Sequence, residues 1–242
     1  MAGIRRRDVL AGTALVLASE PAARAGLIAG HLPWEPSSSA YPDPVTAGGW
    51  KYFSAEEAAA VEVLADRIIP PDAQTPGGKD AGCAVFIDRQ LAGPYGRLAG
   101  LYEQPPFLKG TKQQGPQSSQ TPAELYRAGL AALNRQSRTL PGEKRWVELA
   151  AEQQNDILHR LESSTLELKG VDGKLFFEQV LKDVQQGFFA DPIHGGNRDM
   201  CAWKMIGFPG ARYDYREWVS RHNERYPYPP VSIEGRPEWT PK

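Results

Sequence analysis

The chain has 242 residues with 28 Lys and Arg against 29 Asp and Glu and a pI near 6.4, a balance that argues against nucleic acid as a partner. Hydrophobic residues make up 41% and charged residues 24%, which allows a sizeable core and excludes both a disordered tail and a membrane bundle. Gly and Pro together number 45, well above the usual share, so much of the chain must be loop or extended segment.

Residues 1–25 differ in texture from the rest. Arg5, Arg6 and Arg7 form a basic start, Val9 to Ala18 an apolar run of ten residues, and Ala23-Arg24-Ala25 a small-x-small cleavage pattern, the order of regions in a secretory signal. The run is about half the roughly 20 residues that a spanning helix needs. Arg6-Arg7-Asp8-Val9-Leu10 further resembles the twin-arginine signal, with Val9 where Phe is usual. That route exports folded proteins, so a passenger bound to this chain can travel with it. Removing residues 1–25, which carry four Arg, one Asp and one Glu, leaves 217 residues at a net charge of −3.

Residues 26–50, rich in Pro, Ser and Gly, read as an extended arm ahead of a domain over 51–242. Ser54 and Glu57 make a capping box, and Val61, Leu64, Ala65 and Ile68 repeat at helical spacing until Pro70-Pro71. Residues 83–92 predict a short second helix ended by Gly93-Pro94. The stretch 102–120 predicts a long surface loop, of a length usually functional or pinned by a partner. Thr121-Pro122-Ala123-Glu124 combines an N-cap, a proline at the first helical position and a capping-box Glu, with Tyr126, Leu130, Leu133 and Leu140 as the apolar face. Residues 151–162 and 174–189 complete the amphipathic set. With no sustained strand alternation, the expected fold is mainly α: a single irregular helical domain with long Pro/Gly-rich loops and an extended aromatic C-terminal tail.

That tail, 203–242, holds eight aromatics: Trp203, Phe208, Tyr213, Tyr215, Trp218, Tyr226, Tyr228 and Trp239. They alternate with Arg212, Arg216, Arg221, Arg225, Arg236 and six prolines. Trp, Tyr and Arg dominate interface hot spots, so Trp203, Arg212, Tyr213, Tyr215, Trp218, Tyr226, Tyr228 and Trp239 are partner-binding candidates. The alternative use is folding back onto the chain's own core.

Motifs for self-sufficient chemistry are missing. The 24 glycines contain no G-x-G, so no dinucleotide fingerprint occurs, and GxxxxGK, GxSxG, HExxH and CxxCH are absent. Asp191, His194, Arg198 and Asp199 crowd into nine residues and would suit acid/base work if they converged on a pocket. The competing reading is an ordered turn in which Asp and Asn cap backbone groups and Gly195-Gly196 supply unusual dihedrals. Cys83 and Cys201 are the only cysteines; in an oxidising compartment an internal disulfide between them is the simplest expectation, a bond from one to a partner the rival.

Five blocks carry a family resemblance: Asp66-Arg67-Ile68-Ile69-Pro70-Pro71-Asp72, residues 75–82 (TPGGKDAG), Gly187-Phe188-Phe189, residues 195–199 (GGNRD) and residues 203–210 (WKMIGFPG). Together they resemble the gluconate 2-dehydrogenase subunit 3 family from about Tyr52 onward. The resemblance implies a small non-flavin subunit of a periplasmic, membrane-associated dehydrogenase. In such a complex a large FAD subunit oxidises a sugar or sugar acid and a haem c cytochrome subunit passes electrons to quinone. It implies partners rather than chemistry: the FAD subunit, the cytochrome c subunit and the twin-arginine translocase, with the membrane reached only through partners. No catalytic, cofactor-binding or metal residue is carried over to this chain.

Overall fold

The computed structural model describes residues 44–45, 48–99, 105–108, 110–111, 113, 118–212 and 214–235. The signal with Arg6, Arg7, Ala23 and Ala25, most of the 26–50 arm, and Tyr213 and Trp239 lie outside the described residues. Within them the architecture is mainly helical, with six α-helices and only isolated β-bridges.

Helix α1, Ala55–Ile68, begins at the capping box in both directions: the Ser54 side chain accepts from Glu57 N, and the Glu57 carboxylate accepts from Ser54 N at 2.9 Å. Its buried residues are Ala58, Val61, Leu64 and Ala65. Helix α2, Cys83–Ala92, follows the left-handed Gly82 and ends at Gly93. Helix α3, Pro122–Ser137, starts on the Thr121–Glu124 box with proline at its first position. Leu140 lies beyond α3 rather than on its apolar face. The helix stops before Pro141, whose ring disfavours helical geometry in the residue ahead of it, and Gly142 turns the chain at φ +93°.

Helix α4, Ala151–Glu162, and helix α5, Gly173–Phe189, complete the main bundle. Asp172 caps α5 by accepting from Leu175 N. A six-residue helix, α6 (Cys201–Ile206), and single 3-10 turns, among them Tyr95–Arg97, Pro192–His194 and Arg198–Met200, were not legible in the apolar spacing. Helix α5 packs against every other helix. Phe176, Val180, Val184 and Phe188 are all 2% exposed or less, so α5 forms the axis of the core. Two glycines make close crossings possible. A Cβ on Gly129 of α3 would lie 2.1 Å from the Phe176 ring, and one on Gly187 would meet the Phe86 ring of α2 at 3.0 Å.

Candidate functional site

The residues from Asp191 to Asp199 are the densest collection of chemical groups in the sequence, and the structure shows how they are employed. Asp191 caps the Pro192–His194 turn: Oδ1 accepts from Ile193 N at 3.1 Å, and Oδ2 accepts from Ile233 N at 2.8 Å. Asn197 is fully buried; its Nδ2 donates to the Ala190 carbonyl and its Oδ1 accepts from Ala202 N, both at 2.9 Å. Arg198 N donates to the Ala81 carbonyl and Val45 N to the Ile193 carbonyl. Gly195 takes φ +90°, and Gly196 lies against the Gly187 backbone.

Among the described residues, the side chains of Asp191, His194, Arg198 and Asp199 form no hydrogen bond or ion pair with one another; the one link is the backbone of the turn, where His194 N donates to the Asp191 carbonyl at 3.0 Å. Arg198 and Asp199 are exposed, while Asp191 and His194 are half-buried. The loop is a junction: it seats α6, holds the start of α2 through Ala81, and receives both the arm at Val45 and the C-terminal segment at Ile233. This geometry matches the ordered-turn reading. Beside it, Arg198, Asp199, Cys201 and Lys204 face Gln74, Pro76 and Asp80 across an open hollow of about 580 Å³, which neither Asp191 nor His194 lines.

The two cysteines do not form the expected internal disulfide in the structure; both are free thiols. Cys83 is buried, and its Sγ donates to the Val184 carbonyl at 3.6 Å. Burial, then the nearby Cys201, pushes its pKa up to about 12, so it stays a protonated thiol. Cys201 is half-exposed with Sγ 3.8 Å from Asn197 Oδ1; burial also raises its pKa.

Two buried polar centres were not foreseen. Asp88, at 0% exposure, accepts from the backbone N–H of Lys51, Tyr52 and Phe53 at 2.8–2.9 Å and pairs with Arg89. Arg89 Nη2 also donates to the Gly48 carbonyl, so the pair fastens the end of the arm to α2. In the second, Asp183 Oδ1 accepts from Tyr95 and from Gln179 Nε2, each at 2.9 Å. The Tyr126 hydroxyl approaches from α3 without hydrogen-bond geometry to Asp183 Oδ2. Burial raises the Asp183 carboxyl above its ordinary range, with donation from Gln179 and Tyr95 and the nearby Tyr126 hydroxyl pulling the other way. A lone acidic residue on an apolar helix face was the available signal for both.

The surface offers a different kind of site. Ile68, Ile69 and Pro70 at the end of α1, with Leu181, Phe188 and Phe189 of α5 and Met205 of α6, line an apolar hollow of about 280 Å³. Around it Phe189, Met205, Ile206 and Phe208 are 42–57% exposed. The Trp203 indole fixes this edge by donating to the Phe189 carbonyl at 2.9 Å and stacking edge-on with Phe208. Trp203 itself is 6% exposed, so of the partner-binding candidates it serves the body. Arg212, Tyr215, Trp218, Tyr226 and Tyr228 lie together farther along the chain. The described residues contain no cluster of three or more His, Cys, Asp or Glu side chains able to hold a metal ion, and no helix long and apolar enough to cross a membrane.

No curated protein and no solved structure matches the chain. A family model does: residues 55–210, all five main helices, the junction loop and α6, match gluconate 2-dehydrogenase subunit 3. In this helical body the Asp191 side chain is engaged in holding the junction loop and an apolar edge is left open, and by the match over residues 55–210 the chain belongs to the gluconate 2-dehydrogenase subunit 3 family.

Proposed function

We propose that this chain is the non-catalytic small subunit of a periplasmic dehydrogenase complex of the gluconate 2-dehydrogenase type. Its companions are a large FAD subunit that oxidises a sugar acid and a haem c cytochrome subunit that passes the electrons to quinone. The chain binds the flavin subunit in the cytoplasm, supports its folding around FAD, and carries the folded pair through the twin-arginine translocase on its own signal. In the periplasm it remains as a stabilising subunit and reaches the inner membrane through its companions.

The observation that carries this reading is the open edge formed by Phe189, Met205, Ile206 and Phe208. Side chains of this size exposed side by side mark a protein contact in a chain that must stay in solution. Family membership supports a place among partner subunits, and the capping role of Asp191 weighs against the loop as an independent catalytic centre.

The test replaces Arg6 and Arg7 by Lys together and follows both subunits by fractionation. The expected result is that the small and flavin subunits both stay in the cytoplasm. Arrival of the flavin subunit in the periplasm with the altered signal would reject the escort role.

A further inference from the structure

Six of the nine large hydrophobic residues exposed among the described residues fall between positions 205 and 233: Met205, Ile206, Phe208, Val219, Tyr228 and Ile233. Two of them, Val219 and Tyr228, belong to an excursion, residues 211–230, that leaves the body and returns at one point. Ala211 N donates to the Val231 carbonyl at 2.7 Å and Val231 N to the Pro209 carbonyl at 3.2 Å. Arg212 Nη2 closes the mouth on the Pro229 carbonyl at 2.8 Å. The neck is tight: Gly210 takes φ +76°, and a Cβ there would lie 2.1 Å from the Val231 oxygen.

Within the excursion the side chains pack on one another. Trp218 meets Tyr226 at 5.2 Å between ring centroids, and Tyr226 meets Tyr228 at 5.5 Å and Tyr215 at 5.6 Å. Arg212 lies over Tyr226 and Tyr228, and Arg221 over Trp218 at 4.5 Å. No described residue of 211–230 belongs to the hydrophobic core of the body. The excursion is thus a lobe with its own small aromatic stack, and near its tip Val219 is 74% exposed. Compact loops closed at the neck and packed by their own side chains are frequently functional.

Charge and family boundary add to this. Residues 211–230 carry four Arg against one Asp and two Glu, a net +1, with Arg216 paired to Asp214 at 2.7 Å, whereas residues 26–202 carry −5. The family match ends at Gly210, at the neck, so the lobe lies outside the matched segment.

We propose that the lobe, residues 211–230, is a clamp that docks an acidic, apolar-centred surface on the companion flavin subunit and selects that companion from related ones. The inference rests on the assembly role proposed above. An arginine-rich aromatic lobe at net +1 on a body at net −5 attaches most favourably to a surface of negative potential. Trp, Tyr and Arg supply the anchoring chemistry. Their mutual stacking in the free chain lowers the ordering cost of binding. The open edge on the helical body lies in the family-matched segment and provides the general contact; the lobe provides the particular one.

The experiment uses the full mature chain and the flavin subunit of the same organism, with the dissociation constant measured at 50 and 500 mM salt. Trp218→Ala combined with Arg221→Ala should weaken association at least 100-fold, and wild-type association should weaken at least tenfold with salt. Circular dichroism and the melting midpoint should stay unchanged, because the lobe lies outside the body's core. A second variant, Tyr226→Ala, guards against a misfolded lobe and should weaken association in the same direction. Unchanged affinity in both variants overturns the inference. So does salt-sensitive binding of the lobe to anionic phosphatidylglycerol vesicles with flavin-subunit affinity intact. If Met205→Glu in the body breaks the complex while lobe variants do not, the lobe inference falls and the assembly role stands. If the wild-type chain fails to bind the flavin subunit at all, both fall.

Discussion

Gly196 lies so close to the Gly187 carbonyl that a Cβ on Gly196 would sit 2.1 Å from that oxygen. The obstacle is Gly187 backbone, so it cannot rotate aside. Gly196→Ala is expected to destabilise the fold by about 2–4 kcal/mol, as forced overpacking does. Gly170→Ala serves as the comparison: its Cβ meets open space and only its φ of +85° is strained, so a cost of about 1 kcal/mol is expected. Urea denaturation of the two variants should rank them in that order.

Asp88 is the fastening between α2 and the segment at Lys51–Phe53. Asp88→Ala would leave three backbone N–H groups and the Arg89 guanidinium without their acceptor. Loss of one partner in a buried charged network costs about 3–5 kcal/mol. The measurement is again the denaturation midpoint, joined to limited proteolysis, which should cut first near residues 48–53. A variant cut elsewhere and stable to within 1 kcal/mol of wild type would remove this role.

Asp183 predicts a pH dependence of definite sign. Burial raises its folded pKa, so the folded chain holds the proton more tightly than the unfolded chain. Its favourable contribution is complete below the ordinary carboxylate value of about 3.9 and is lost as pH rises through the raised folded value. Asp183→Asn keeps an oxygen for Tyr95 and Gln179 and carries no charge. The stability difference, variant minus wild type, should therefore grow from acid to neutral pH. A difference that stays constant, or shrinks, between pH 4 and pH 8 would contradict the account.

The thiols should respond unequally. Cys83 is buried and its pKa is pushed up to about 12, whereas Cys201 is half-exposed. In the reduced native chain iodoacetamide should modify Cys201 well before Cys83, by tenfold or more in rate, because the thiolate is the reactive form and access is required. Cys83 should label only on unfolding. Peptide mapping of a time course decides between this and equal labelling.

The helices were legible because their signals are local. Ser54 with Glu57 and Thr121 with Glu124 lie three residues apart, and both capping boxes form. Leu140 was misplaced onto α3 because apolar spacing continued past the stop that Pro141 and Gly142 impose. The buried polar centres were not legible, since Asp88 reaches residues 35–37 positions away and Asp183 reaches Tyr95 at 88. Only tertiary packing brings those groups together. The aromatic tail was visible as composition, while its division into a body anchor at Trp203 and a separate lobe depends on the backbone bridge between Gly210 and Val231.

The central claim is that this chain does no redox chemistry of its own and acts by holding a flavin subunit. Its most direct test is the steady-state rate of sugar-acid oxidation with an artificial electron acceptor, measured on the mature chain purified alone and on the same amount combined with its flavin subunit. The account predicts a rate at the buffer background for the chain alone and full turnover only for the combination; turnover by the purified chain alone would contradict it.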